Sequence, residues 1–208
     1  MTNVINFITF AIKLKLKLIL NMSSNCRQCI IKRFNALKTL TPEELEKFSD
    51  HKTSIVIKKG DNLMTEGNSI NGLYCIKDGK GKMTKLNTNG KEQIIKFIKG
   101  GDILGHRSIL SDELVGLNAI ALEDMHVCFI PKGDILETIR ENNNFSLLIM
   151  KNISQQLNEA NASISQMAQK PVKDRLADTL VHLEDLFGVD NEGCIDVVLT
   201  REEIANTI

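Results

Sequence analysis

The chain has 208 residues, which is enough for one domain with a small appendage. Hydrophobic residues make up 42% and charged residues 25%, and this composition excludes a disordered, collagen-like or fibrous coiled-coil chain. The 26 basic and 26 acidic residues cancel, so bulk charge alone gives no affinity for a nucleic-acid backbone. The five cysteines are an odd number at irregular spacings, which favours a reduced, cytoplasmic protein over a disulfide-bonded secreted one.

Residues 1–21 are the most hydrophobic stretch and carry three lysines but no acidic residue. Their mainly apolar run, residues 4–12, is too short for a membrane-spanning helix, which needs about 20 apolar residues. We favour the interpretation that translation starts at Met22 and that this prefix is not native. The alternative is an amphipathic extension that lies on a partner or on a membrane surface. We predict no membrane span.

Short apolar runs alternate with turn residues between residues 51 and 131. Asp78-Gly79 and Asn89-Gly90 supply the positive φ angles that tight hairpins need. Regularly spaced short strands predict an antiparallel barrel or jelly roll. The predicted strands are residues 54–57, 72–76, 82–86, 93–98, 119–122 and 126–130.

Capping boxes predict helix starts at two places, where Thr41 is followed by Glu44 and where Thr200 is followed by Glu203. A strand is predicted over residues 195–199, directly before the second capping box. Apolar periodicity and the prolines that bound it predict three short helices. They are residues 42–49, 133–141 and 172–187.

A stripe of apolar residues with the spacing of a coiled-coil seam lies between the second and third of these helices. Its members are Met150, Ile153, Leu157, Ala160, Ile164 and Met167. The opposite face of this long helix is polar. We therefore predict a symmetric dimer through the stripe, while the alternative is a helix packed on its own domain.

A series of glycine-containing motifs occurs in order along the chain and ends in Leu-Thr-Arg-Glu-Glu-Ile-Ala at residues 199–205. The motifs lie at residues 59–61, 66–67, 76–79, 90–92 and 101–105. Together with the long helix, they resemble the CRP/FNR family of bacterial transcription regulators, and its FNR-like branch in particular. The resemblance covers about residues 26–208.

This resemblance implies an α+β fold: an antiparallel β-roll like a cyclic-nucleotide-binding domain (a jelly roll), then a long dimerisation helix and the start of a winged helix-turn-helix. It implies a homodimer that senses a small-molecule or redox signal and binds palindromic promoter DNA. RNA polymerase is a further implied partner. The expected domains are the prefix (1–21), the sensor domain (22–140), the dimerisation helix (141–169) and a partial DNA-binding domain (170–208).

Only the first helix of the DNA-binding motif is represented, by Thr200, Arg201 and Glu202. The recognition helix and wing that the family places after it are missing, so we expect little sequence-specific DNA binding from these residues alone. The sequence is then either a fragment of a longer reading frame or a regulator that has lost its recognition helix and wing. The alternative function is a stand-alone dimeric effector-binding or redox-binding module that regulates another protein. We expect no enzyme, because no G-x-x-x-x-G-K, G-x-S-x-G or H-E-x-x-H motif is present.

Members of the family that bind cyclic AMP hold it through a Gly-Glu pair and a later Arg-Ser pair. Gly105 and His106 stand at the first pair here, and Val115 and Gly116 stand at the second. No Arg or Lys occurs from residue 108 to residue 131, and a buried phosphate without a cation is strongly penalised. We therefore expect no cyclic AMP binding. The resemblance makes four residues the effector-pocket loop: Gly105, His106, Arg107 and Ser108.

Cys26 and Cys29 form a C-x-x-C pair, whose spacing suits a shared metal ion or a reversible disulfide. In the FNR-like branch such cysteines, with one in a strand like that of Cys128, hold an iron–sulfur cluster. The remaining ligand position is Asn35 here, so a four-cysteine site is incomplete. His126 would complete a Cys₃His site for zinc or a cluster, because it precedes Cys128 by two residues on one strand face. Otherwise the cysteines are remnants. Two further cysteines are expected to pack in the core: Cys75 and Cys194.

Overall fold

Two four-stranded antiparallel sheets form the centre of the computed structural model, which describes Cys26, residues 36–88 and residues 90–208. The strands are β1 (Thr53–Ile57), β2 (Asn62–Met64), β3 (Gly72–Asp78), β4 (Gly81–Leu86), β5 (Glu92–Ile98), β6 (Ile103–Leu104), β7 (Asn118–Ala121) and β8 (Met125–Pro131). The helices are α1 (Pro42–His51), α2 (His106–Ser111), α3 (Lys132–Glu141), α4 (Asn143–Gln169), α5 (Val172–Phe187) and α6 (Arg201–Ala205). The prefix at residues 1–21, Cys29, Asn35 and Asn89 lie outside the described residues.

The predicted antiparallel roll is confirmed by the pairing of the strands. One sheet, sheet A, has the order β1-β8-β3-β6, and the other, sheet B, has the order β2-β7-β4-β5. Six strands fall where the apolar runs predicted them. Strands β2 and β6 were not predicted, because three and two residues are too few to display an alternating pattern.

The inner faces of the two sheets enclose one apolar core, and side chains of strand β8 alternate between this core and the opposite face. Met125 and Val127 point into the roll, whereas Cys128 and Ile130 point to the outer face of sheet A. This alternation follows from the two-residue period of a strand. The inner core consists of Leu63, Met64, Ile76, Ile98, Leu104, Val115, Ala119, Ala121, Met125 and Val127.

Helices cover the outer face of sheet A and form a second apolar core there, which we call the helix-side core. Leu45 and Phe48 of α1 and Ile135 of α3 lie in it, together with Phe145 and Ile149 of α4. The capping box predicted at Thr41 is confirmed: its side chain accepts from the Glu44 N–H, and Glu44 accepts from the Thr41 N–H at 2.7 Å. Because Phe145 and Ile149 lie in this core, the first two turns of α4 pack with the roll. The sequence had assigned residues 141–169 to a separate dimerisation helix.

The C-terminal segment covers the outer face of sheet B. Ile94 and Phe97 of β5 lie in a third apolar cluster with Leu183 of α5, and Phe187, Ile195, Val197 and Leu199 pack against it. The strand predicted over residues 195–199 is wrong. Only an isolated bridge joins Val189 to Ile195. The alternating apolar residues bury their side chains on sheet B instead of pairing with another strand.

Within the described residues, no helix combines the length and the apolar character that crossing a bilayer requires. The longest of the described helices, α4, has 27 residues and includes many polar ones. The amphipathic alternative for residues 1–21 stays a prediction.

Candidate functional site

The effector-pocket loop begins at a glycine that no other residue could replace without displacing its neighbours. Gly105 has φ = +93°, and a Cβ added there would lie 2.5 Å from Ile70 Cδ1 and 3.1 Å from the Gly72 carbonyl oxygen. Gly105 is the N-cap residue of the short helix α2. The predicted loop residues His106, Arg107 and Ser108 therefore form the first turn of a helix, in which the first is buried, the second exposed and the third half-buried.

His106 is buried next to Gln156 of helix α4. Its side chain is 4% exposed, and neither Nδ1 nor Nε2 makes a hydrogen bond of good geometry. Burial lowers the pKa of His106 to about 4, although hydrogen-bonding contacts with the Gln156 side chain and the Ile103 backbone oppose this shift. The imidazole is therefore neutral at pH 7.

Helix α4 lies over this part of the roll, next to the loop that precedes α2. Burial raises the pKa of Asp102, although the Lys99 N–H donates to its carboxylate at 3.0 Å. The charge of Glu159 on α4 raises the pKa of Asp102 further, and Lys96 and Lys99 oppose it. The loop around His106 therefore lies within electrostatic range of Gln156 and Glu159 on α4.

Val115 occupies the position where the family's cyclic-AMP-binding members have an arginine, and it faces the inner core. Val115 is 4% exposed and packs among apolar side chains. Its N–H donates to the Asn68 carbonyl at 2.9 Å, and its carbonyl accepts from the Gly67 N–H at 2.8 Å. An apolar side chain at Val115 supplies no cation for a cyclic phosphate, although Lys85 Nζ donates to the neighbouring Gly116 carbonyl at 3.1 Å.

Three thiols share the helix-side core: Cys26, Cys75 and Cys128. The prediction that Cys75 packs in the core is confirmed, and Cys75 also stands directly opposite Cys128 on the β3–β8 ladder. Only the pairing of the strands reveals this. Cys194 is exposed, so the prediction that it packs in the core is wrong. Its N–H donates to the Asp190 side chain at 2.9 Å in a surface turn, where no apolar neighbour covers the thiol.

The predicted metal or redox set is brought together only in part. His126 and Cys128 line one small surface pocket, and Cys26 lies in the same core as Cys128. Among the described residues, no three histidine, cysteine or acidic side chains lie close enough to hold a metal ion. The set that includes Cys29 stays a prediction, and we derive no chemistry from a cluster or from zinc.

The predicted dimer stripe is open on the surface of a single chain. Leu157 is 60% exposed and Ile164 is 66% exposed, and Met150, Ala160 and Met167 are also exposed. Ile153 alone is half-buried, because it packs against the helix-side core. The stripe therefore continues outward from the part of α4 that is anchored in the roll, and it does not fold back onto the barrel of its own chain.

The capping box at the second predicted helix start is confirmed: the Thr200 side chain accepts from the Glu203 N–H at 3.1 Å, and Glu203 accepts from the Thr200 N–H at 2.8 Å. Arg201 and Glu202 are exposed on α6. Thr200, Arg201 and Glu202 therefore stand at a helix start on the surface, as the resemblance implies.

A buried lysine of the roll holds α6 in place. Lys82 on β4 has a side chain that is 10% exposed, and its Nζ lies 3.0 Å from Glu203 and 3.3 Å from Glu92. Next to this triad, the Ile94 N–H donates to the Asn206 carbonyl at 2.7 Å. The sequence did not reveal this contact, since 121 residues separate Lys82 from Glu203.

Lys82 and Glu203 both keep their charges across the neutral range of pH. Burial raises the pKa of Glu203, but hydrogen bonds from the Thr200 N–H and from Lys82 outweigh it, so the pKa is lowered. Burial lowers the pKa of Lys82, but the two carboxylates outweigh it, so that pKa is raised. The contribution of Glu203 is lost only as the pH falls through its lowered pKa. That of Lys82 is lost only as the pH rises through its raised pKa.

We expect the substitution Lys82→Met to loosen the C-terminal segment from sheet B. It leaves two partly buried carboxylates without their cation, which costs about 1–3 kcal/mol of docking free energy. Hydrogen exchange at the Ile94 amide then speeds up by about 10-fold or more. The matched control is Lys85→Met on the same strand, because Lys85 binds Glu66 and the Gly116 carbonyl instead. Equal exchange rates in the two variants would contradict the assignment.

Comparison with known proteins identifies the domain. Residues 54–142 match the cyclic nucleotide-binding domain family. The anaerobic regulatory protein of Bacillus subtilis is 28% identical over 152 residues, which are 72% of this chain and 64% of that protein. The fumarate and nitrate reduction regulatory protein of Vibrio cholerae is 28% identical over 164 residues, which are 78% of this chain and 65% of that protein. The chain thus spans slightly less than two thirds of the length of these two relatives.

The fold is also similar to that of solved structures. A transcriptional regulator of the crp/fnr family from Eubacterium rectale superposes with a TM-score of 0.70 at 18% identity, over 84% of this chain and 79% of that chain. The prediction that the chain is not an enzyme agrees with these relatives, whose names describe regulatory proteins. In its roll, its long helix and its sequence, the chain is thus similar to transcription regulators of the CRP/FNR family.

Proposed function

We propose that this chain is the sensor and dimerisation part of a DNA-binding transcription regulator. The observation that carries the proposal is the course of helix α4, which is anchored in the roll at Phe145 and Ile149 and then presents an exposed apolar stripe. A coiled-coil seam of this kind pairs with a second copy of the same helix. The chain therefore acts as a homodimer in this proposal, and palindromic promoter DNA is the partner of the complete regulator.

The signal in this proposal is a small molecule or a redox change that acts on the roll, and it is not cyclic AMP. The buried Val115 and the lack of any basic residue from 108 to 131 support the exclusion of a cyclic phosphate. The buried, neutral imidazole of His106 supports a pocket that offers a hydrogen bond to an uncharged ligand group. Binding at this pocket would then alter the contacts of Gln156 and Glu159 and so shift α4. The pairing of α4 in the dimer sets the positions of the DNA-binding segments.

A mobility-shift experiment on palindromic promoter DNA tests this proposal. It compares this chain with the same chain extended by a recognition helix and wing. We expect the extended chain to bind as a dimer and this chain to bind only weakly, because the base-contacting helix is absent from its residues. Nanomolar binding by this chain would contradict our interpretation of α6.

A stand-alone module that regulates another protein is the second candidate function. The docking of the C-terminal segment on sheet B favours it, because Lys82 and the Ile94 N–H hold α6 and the residue after it against the roll. The same experiment separates the two candidates. A dimeric extended chain that binds no promoter DNA would favour the module, whereas specific binding would favour the DNA-binding regulator.

A further inference from the structure

Cys75 and Cys128 are direct cross-strand neighbours. In the antiparallel pair of β3 and β8, Leu73 lies opposite Ile130 and Cys75 lies opposite Cys128. Residues directly opposite in such a ladder have Cα atoms about 4.5 to 5.5 Å apart. Disulfide-bonded cysteines have Cα atoms about 4.4 to 6.8 Å apart, so no backbone movement is needed to join these two sulfurs.

The two thiols point to the same side of sheet A and differ in their access to solvent. Both belong to the helix-side core, where Cys75 is 1% exposed and Cys128 is 6% exposed. Cys128 also lines a small surface pocket with Ser54, Lys77 and His126. A small polar oxidant can therefore approach Cys128 from this pocket. Cys75 does not line the pocket and lies opposite Cys128 on the neighbouring strand.

Packing of cysteines as small apolar residues does not explain why these two face each other across neighbouring strands. An isolated core cysteine packs like alanine or valine and needs no second sulfur beside it. Here Cys128 lines a small surface pocket, and Cys75 lies directly opposite it on the neighbouring strand. This is the geometry of an attacking thiol with a resolving thiol next to it.

We propose that Cys75 and Cys128 form a reversible intrachain disulfide when the chain meets a peroxide. The Cys128 sulfur attacks one oxygen of hydrogen peroxide, an S–O bond forms, the O–O bond breaks, and the other oxygen leaves as water. The Cys75 sulfur then attacks the sulfenic acid, an S–S bond forms, the S–O bond breaks, and a second water leaves. The two thiol protons end in the two waters, and the sulfur pair loses two electrons to the peroxide.

The disulfide would act on the base of the long helix. Phe145 and Ile149 of α4 share the helix-side core with both cysteines. A bond between β3 and β8 fixes the surface on which these two residues pack. The modification does not depend on DNA binding, so its test stands apart from the test of the proposed function.

Thiol counting and peptide mapping on the complete chain test the proposal. The reduced chain is treated with hydrogen peroxide, unfolded in denaturant, and its thiols are titrated. We expect the count to fall from five to three, a cross-linked peptide pair containing Cys75 and Cys128, and recovery of five thiols with dithiothreitol. The matched control Cys194→Ser removes the exposed thiol and should lose two thiols in the same way. The variant Cys75→Ser should instead accumulate a sulfenic acid at Cys128 that dimedone traps.

Two results would overturn the proposal, and neither requires a variant to fold. One is a peroxide-treated native chain in which both cysteines remain thiols. The other is a peptide map in which the new disulfide joins Cys26 to Cys29, or joins two chains through Cys194.

Discussion

In the proposed homodimer, the substitution Leu157→Lys will separate the two chains into monomers. Leu157 lies in the middle of the apolar stripe, 60% exposed on one chain, and the two-fold axis of a paired helix brings it close to its own copy. Two ammonium groups would then be buried side by side without a carboxylate. Breaking a buried interaction in this way costs about 3–5 kcal/mol per uncompensated charge, so the dimer dissociation constant rises by about 1,000-fold or more.

Sedimentation equilibrium of the wild-type chain and the variant measures this effect directly. The matched control is Gln155→Lys, which adds the same charge on the polar, exposed side of α4. We expect the control to sediment as a dimer, like the wild type. A Leu157→Lys chain that remains dimeric at the same concentration would remove the stripe from the interface, and with it the main support for the regulator.

Acid will destabilise the folded chain through His106. The folded-state pKa of about 4 lies below the ordinary value of 6.5, so the unfolded chain binds a proton more readily than the folded chain. The stability is therefore complete above pH 6.5 and is lost as the pH falls toward the folded pKa. Each pH unit in this window is worth about 1.4 kcal/mol, so moving from about pH 7.5 to about pH 5 costs about 2 kcal/mol.

Urea unfolding of the wild type and of His106→Leu at both pH values isolates this contribution. Leucine leaves no buried imidazole to protonate, so the variant should lose about 2 kcal/mol less on acidification. The raised pKa of Asp102 acts in the opposite direction and is present in both chains, so it cancels in the comparison. His182→Asn is the control, because His182 is exposed and its loss should leave the acid effect intact. Identical pH dependence in wild type and His106→Leu would refute the assignment.

Parts of the candidate site could be predicted because they depend on residues close in sequence. The helix starts at Thr41 and Thr200 need only a side chain three residues further on, and both capping boxes are present. Cys128 could be placed on a strand by its apolar neighbours. Cys194 was misplaced for the same reason, since the apolar alternation around it packs side chains on sheet B without forming a strand.

The sequence alone determined the roll and the long helix, because turn glycines, strand alternation and helix caps act over a few residues. Its ordered motifs also carried the resemblance to the CRP/FNR family. Tertiary structure alone decided which distant groups meet: Cys75 with Cys128 across two strands, Lys82 with Glu203 across two domains, and His106 under α4. These contacts depend on strand register and on how the C-terminal segment packs against sheet B. A shift of one residue in register would turn Cys75 away from Cys128, and nothing local to either cysteine specifies that register.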